Sequence, residues 1–227
     1  MKNNKILTIS LILILQFVFN LSYALEIKKI PKNFKPKDSL IEREVEYKNI
    51  GRKGFNKIII SRYQKDNNCY VIIQFYSKTK KWWKLKNTYS FEQDLSQNLN
   101  PEIADFNNDG FLDITYNTFR AARGANDVRR LCIYDKIKNE LICMKEDNPN
   151  LQYNKELKCI TSCAVHGGYT FYFLKIVGNQ LNPFIRVDGY TQDNGKQLTL
   201  INKNGKERVI PKKEHYKWTK YLDVAEF

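Results

Sequence analysis

The stretch KIIISRYQKDNNCYVIIQFYS, Lys57 to Ser77, decides the fold. Its two arms, Lys57 to Gln64 and Cys69 to Ser77, are rich in β-branched and aromatic residues, and Asp66, Asn67 and Asn68 stand between them. Branched and ring side chains suit a pleated, half-buried surface, while Asn and Asp accept the backbone of a tight turn. The reading is strand, turn, strand. It continues through the turn Lys78 to Lys81 into a third strand, Trp83 to Phe91. Beyond it the same pattern predicts strands over Phe111 to Phe119, Arg129 to Tyr134, Leu141 to Lys145, Tyr169 to Val177 and Leu181 to Val187. Gly178-Asn179 turns between the last two, and Asn204-Gly205, between Gln197 to Ile201 and Glu207 to Ile210, is the strongest short hairpin signal in the chain. Helical periodicity is weak, leaving room for a turn or two at Phe91 to Leu99 and near the C-terminus. Many short, regularly spaced strands predict an all-β chain: an antiparallel sandwich, a barrel-like domain or a partial propeller. No Gly/Ser/Pro linker interrupts it, so one compact unit is expected, with β halves over 25–100 and 101–227. Lys28 to Lys37, with Pro31 and Pro36, reads as a loose arm.

The first 24 residues read as an export signal. Lys2 and Lys5 precede an apolar run from Ile6 to Phe19, and Ser22-Tyr23-Ala24 offers small residues for cleavage. That run is short for a bilayer span, and no later segment is long and apolar enough for one. The expectation is a periplasmic or secreted protein, cleaved near Ala24; retention of the leader as an anchor is the alternative. From Leu25 onward the formal charge is +12, the whole chain carrying +14 with two of its lysines in the leader. Such a field favours anionic partners: acidic proteins, anionic lipid head groups or cell-wall polymers. Nucleic acid is disfavoured by export and by the lack of any recognised binding motif.

Asp105-Phe106-Asn107-Asn108-Asp109-Gly110-Phe111-Leu112-Asp113 carries the chemistry. Asp105, Asn107, Asp109 and Asp113 occupy positions 1, 3, 5 and 9 of a loop, and the carbonyl of Phe111 falls at position 7. Ca²⁺ takes six to eight oxygens, and twelve-residue calcium loops present them in this order, with glycine at position 6, here Gly110. An EF-hand would place a Glu at position 12; that position is Tyr116, in a stretch that reads as strand. The loop is therefore EF-hand-like in its ligands and set between strands. The bland alternative is an Asn/Asp/Gly turn that holds no metal.

An exported chain meets an oxidising compartment, and the five cysteines, Cys69, Cys132, Cys143, Cys159 and Cys163, all follow the leader. If Asp135 pairs with Glu140 across a four-residue loop, Cys132 falls directly opposite Cys143, where a cross-strand disulfide can form. Cys159 and Cys163 can bridge each other or pair elsewhere, and Cys69 is left over. Cys159, Cys163 and His166 have metal-like spacing, without a convincing fourth ligand for zinc.

Catalysis finds little support. The chain has two histidines, His166 and His215, and no serine-hydrolase elbow, zinc-protease helix or phosphate loop. Cys163 and His166 could suggest a nucleophile and base, but a disulfide would consume the thiol. Glycosidase carboxylates leave no motif, and the one clear acidic cluster is better explained by the cation. The chain is read as a non-enzyme. Trp82 and Trp83 lie among Lys78, Lys80, Lys81, Lys84 and Lys86; strand alternation puts one ring in the core and the other under lysine stems, or on a sugar- or membrane-facing platform.

The Asp105 to Asp113 loop resembles the Asp-x-Asn-x-Asp-Gly-x-x-Asp calcium loop of FG-GAP repeat proteins. Only one copy is present, whereas propellers of that type need several. The loop, then Ala125-Asn126, then Leu131 to Asp135 with its hairpin, then Gly167-Gly168-Tyr169-Thr170, follow in an order similar to that of calcium-loop periplasmic proteins related to i-type lysozyme inhibitors. Some of those act as immunity proteins against peptidoglycan-hydrolase effectors. The similarity spans roughly Pro101 to Val187. It implies structural Ca²⁺ at Asp105, Asn107, Asp109, Phe111 and Asp113. It further implies an inhibitory loop, His166, Gly167, Gly168 and Tyr169, that enters the cleft of a lysozyme-like hydrolase. The family usually shows Ser where this chain has His166. A basic wall- or surface-binding module using Trp82, and a calcium-dependent adhesion domain, are the alternatives. Many lysozymes are themselves basic, so the target of a +12 inhibitor is expected to be neutral or acidic.

Overall fold

The computed structural model describes residues 40–65, 68–94, 97–191, 197–203, 205–211, 213, 214 and 217. The leader, the Lys28 to Lys37 arm, Asp66, Asn67, Asn204 and His215 lie outside the described residues. Over the described residues the chain is nearly all antiparallel β, in three sheets, none of them closed into a barrel.

The first sheet is a meander of β1 (Leu40–Tyr47), β2 (Asn56–Lys65), β3 (Asn68–Lys78) and β4 (Trp83–Gln93). The second runs β5 (Glu102–Ala104), β6 (Asp113–Ala121), β7 (Asn126–Asp135) and β8 (Glu140–Cys143), with β9 (Asn148–Pro149) also paired to β7. The third is β10 (Gln152–Asn154), β11 (Cys159–Val165), β12 (Gly168–Val177), β13 (Gln180–Thr191), β14 (Gln197–Lys203) and β15 (Lys206–Val209).

The second sheet is buried on both faces. On one, Ile114, Tyr116, Cys132, Tyr134 and Leu141 pack with Ile58, Ile60, Val71, Ile73 and Phe75 of the first sheet. On the other, Leu131 and Ile133 meet Ile160 and Leu174 of the third sheet around Phe106, Met144 and Leu151. This double cover explains why β6 is buried continuously from Asp113 to Thr118 rather than at alternate positions. Two of its polar members, Thr115 and Asn117, accept from buried Arg129, which donates to Thr115 Oγ1 at 3.0 Å, to Asn117 Oδ1 at 2.6 Å and also to the Asn100 carbonyl at 2.9 Å.

The ten strands expected from the sequence all form. β1, β5, β9, β10 and β11 were not foreseen; β11 (CITSCAV) lies inside the third sheet, between β10 and β12. In the β7–β8 hairpin Asp135 pairs with Glu140 and Cys132 with Cys143, and the disulfide between those cysteines is formed. Cys69, Cys159 and Cys163 are buried and reduced. Cys159 and Cys163 share one strand four residues apart, about 13 Å at strand rise, so they neither bridge nor gather with exposed His166 around zinc. Neither tryptophan enters the core. Trp82 is exposed in the β3–β4 turn, and the half-buried Trp83 ring sits 5.0 Å from Lys57 Nζ and 6.0 Å from Lys78 Nζ.

Candidate functional site

The acidic loop connects β5 to β6 and folds around its own oxygens. The Asp109 N–H donates to Asp105 Oδ1 and to Asn107 Oδ1, both at 3.1 Å, and the Gly110 N–H donates to Asp105 Oδ2 at 2.9 Å. Asp109 Oδ1 accepts from the Phe111 N–H at 3.0 Å. In these contacts the side-chain oxygens of Asp105, Asn107 and Asp109 each accept from a backbone N–H of the loop. Gly110 has φ +88°, the left-handed backbone that its position was expected to need.

Asp113 is different. It is fully buried; its Oδ2 accepts from the Phe106 N–H at 2.9 Å and its Oδ1 from the Tyr134 N–H at 2.8 Å. It thereby ties the loop to the central strand β7. Burial pushes its carboxyl up to about 7; the two backbone donors oppose that shift, and Asp109 and Asp105 add to it. Among the described residues the cation facing this group is Lys136, whose Nζ lies 4.0 Å from Asp109 Oδ2. A divalent ion would balance three carboxylates that one lysine at that distance does not. Asp105, Asn107, Asp109 and the Phe111 carbonyl could hold a hard, oxygen-seeking cation, with Asp113 beneath them as ligand or brace. Among the described residues, no group of three or more His, Cys, Asp or Glu side chains is placed to hold a metal ion.

Along β6 the chain travels roughly 26 Å to the opposite end of the second sheet. There Ala122 (φ 50°), Arg123 (φ 55°) and Gly124 (φ 98°) form an exposed left-handed turn. For Ala and Arg that conformation costs of order 1–3 kcal/mol each and persists only where its surroundings impose it. Asn126 follows, buried, and holds the tip of the β11–β12 hairpin. Its Nδ2 donates to the Val165 carbonyl at 2.9 Å, and its Oδ1 accepts from the Val165 N–H at 2.8 Å. Asn150 Nδ2 reaches the Cys163 carbonyl at 2.9 Å and the Ala125 carbonyl at 3.1 Å, binding both turns together.

At the tip, His166 and Gly167 are exposed, and Gly167 has φ +76°. His166 Nε2 lies 2.9 Å from Thr170 Oγ1, and the Thr170 hydroxyl donates to Asp188 Oδ1 at 2.7 Å. Arg186 Nε donates to Asp188 Oδ2 at 2.7 Å, closing the row. A hydroxyl has one proton; with it given to Asp188, the imidazole donates from Nε2 to the Thr170 oxygen.

Tyr169 departs from the expected projecting aromatic. It pairs with Gly189 across β12–β13, and its ring lies over that glycine: a Cβ at position 189 would stand 2.1 Å from Tyr169 Cζ. The ring also packs 4.9 Å from Phe171, between centroids, and burial raises its hydroxyl's pKa. The glycine opposite gives the ring a place on the sheet, so the exposed part of the tip is His166-Gly167. Asn126 meets Val165, which immediately precedes the His166 to Tyr169 segment. Arg123, Asn150, Asp188 and Arg186 were not singled out from the sequence. The Ala-Arg-Gly-Ala run before Asn126 was the available signal for the first of them.

No protein-family model matches the chain, and no curated protein matches it. A solved structure described as a Xanthomonas type IV secretion system related protein is similar at 12% identity with a TM-score of 0.46, covering 79% of this chain and 97% of that one.

Proposed function

We propose that this protein is an exported, calcium-stabilised inhibitor that blocks a peptidoglycan hydrolase by occupying its glycan cleft with the β11–β12 tip. The observation that carries the reading is the braced tip: an exposed two-residue turn clasped from behind by Asn126 and Asn150, with Tyr169 laid flat as a strut. A projection fixed before binding loses little entropy on docking, which is what an inhibitor needs from a small contact.

The chemistry at the tip suits such a cleft. Lysozyme-like enzymes keep one carboxylic acid protonated as general acid. With Nε2 directed at Thr170 Oγ1, His166 Nδ1 in the neutral imidazole can take that proton in a hydrogen bond without turning the ring. Arg123, exposed on the adjoining turn, can meet the second, ionised carboxylate. Ca²⁺ at Asp105, Asn107, Asp109 and Phe111 supplies rigidity and no reaction step: it would fix the start of β6, whose far end leads into the turn bearing Arg123 and Asn126. The positive charge of the chain directs the choice of partner toward neutral or acidic hydrolases.

The test is capture from the producing organism's own lysate in calcium, with the exported protein and its Arg123→Ala/His166→Ala variant as baits. Retention of a peptidoglycan-hydrolysing activity by the intact bait and its loss with the variant is the expected result. Equal retention of that activity by both baits, or by neither, would remove the tip from the account.

A further inference from the structure

The end of the molecule opposite the clasped tip has a separate character. Four connections meet there: residues 48–55 before β2, the β3–β4 turn, the acidic loop and the β7–β8 turn. Their meeting is fixed by hydrogen bonds. The Lys78 N–H donates to the Phe55 carbonyl at 2.7 Å; Asn56 Nδ2 donates to Asn139 Oδ1, and Asn139 Nδ2 to Ser77 Oγ, each at 3.0 Å. The Gly51 N–H donates to the Leu112 carbonyl at 2.9 Å, joining the acidic loop to the same end.

Three of these connections carry a large apolar side chain at an exposed position. Phe55 is 62% exposed, Trp82 76% and Ile137 90%. One exposed apolar residue on a surface is ordinary; one on each of three adjoining turns, where polar residues are the rule, is not. Lysine surrounds each of them: Lys53 beside Phe55, Lys80 and Lys81 beside Trp82, Lys136 and Lys138 beside Ile137. No acidic residue occurs in 48–57 or in 78–86. Of the acidic groups nearby, Asp135 Oδ1 accepts from the Ile137 and Lys138 N–H groups, Glu46 is bridged by Lys48 and Lys57, and Asp109 Oδ2 lies 4.0 Å from Lys136 Nζ.

We infer that this end docks on an anionic phospholipid bilayer, with Phe55, Trp82 and Ile137 entering the interface and the lysines resting on the phosphates. Trp and Phe at the water–hydrocarbon boundary, with basic residues around them, are what that boundary accommodates. A soluble polyanion would use the lysines and leave three apolar tips in water, so the bilayer is favoured over a wall polymer. The inference stands apart from the hydrolase reading, which concerns the other end. Together they orient the molecule with its His166 tip away from the membrane.

The experiment is co-sedimentation of the exported protein with vesicles of phosphatidylcholine alone and of phosphatidylcholine mixed with phosphatidylglycerol, beside a soluble glycerol-phosphate polymer. Binding to the mixed vesicles and weak binding to phosphatidylcholine alone are expected. The Phe55→Ser/Trp82→Ser/Ile137→Ser variant, altered only at exposed positions, should keep its melting temperature and lose about tenfold or more in vesicle partitioning. Partitioning unchanged by that variant, or binding to the polymer alone, would overturn the inference.

Discussion

Asn126 closes a two-bond clasp on Val165, donating to its carbonyl at 2.9 Å and accepting from its N–H at 2.8 Å across 39 residues of sequence. The side chain is 7% exposed, so the backbone groups it satisfies have no ready substitute. This one amide fastens the end of the second sheet to the hairpin of the third, and its loss is the most informative single change in the molecule. Asn126→Ala should destabilise the fold by about 1–3 kcal/mol, the usual cost of leaving buried polar groups unpaired. In hydrogen exchange the Val165 amide should lose protection selectively, while amides of β2 and β3 should keep theirs relative to the lowered global stability.

A second prediction concerns the glycine beneath Tyr169. A methyl at Gly189 would collide with the ring at 2.1 Å, so Gly189→Ala should cost about 1–3 kcal/mol through forced repacking. In a Tyr169→Ala background the same change should cost much less, because the colliding ring is gone. A double-mutant cycle by chemical denaturation measures this coupling. Additive penalties would mean that the ring does not lie where it is described.

Calcium should raise the melting temperature. At ten times its dissociation constant a single site contributes about 1.4 kcal/mol, a rise of roughly 3–6 °C for a chain of this size. Asp109→Ala should abolish the rise. A variant that retains the full calcium response would remove the loop from the account.

The disulfide offers a fourth test. Cys132 and Cys143 are separated by 11 residues and join two strands of the doubly covered sheet. Replacing both by alanine should cost about 2–3 kcal/mol, in keeping with a loop of that length. Cys69, Cys159 and Cys163 are buried, and burial pushes the Cys163 thiol up to about 11. Alkylation of all three in the intact protein at neutral pH should therefore wait on unfolding.

Much of the fold could be read from residue pattern because its strands alternate cleanly and its turns are marked. The β7–β8 register followed once Asp135 was paired with Glu140 across a four-residue loop, since that choice fixes which residues oppose, and the pairing is the one formed. Strand β11 was not singled out because its short side chains (CITSCAV) show no alternation of apolar and polar residues; its place between β10 and β12 is a fact of the tertiary arrangement. The spacing of oxygens in the acidic loop was visible. The use of Asp113 to hold the Tyr134 N–H, 21 residues away, was not. The direction of Tyr169 depends on a glycine across the strand, and the gathering of Phe55, Trp82 and Ile137 depends on how two sheets stack. Neither is written in local sequence.

The central claim is that the His166 tip blocks a peptidoglycan hydrolase. Its most direct test is the rate at which the hydrolase captured by this protein clears a peptidoglycan suspension, with and without the protein, in calcium. The account predicts saturable inhibition near equimolar protein, weakened by about tenfold or more in His166→Ala, as for a centrally placed contact, while the Phe55→Ser/Trp82→Ser/Ile137→Ser variant inhibits as well as the intact protein. Clearance unaffected by the intact protein, or inhibition that survives removal of both His166 and Arg123, would contradict it.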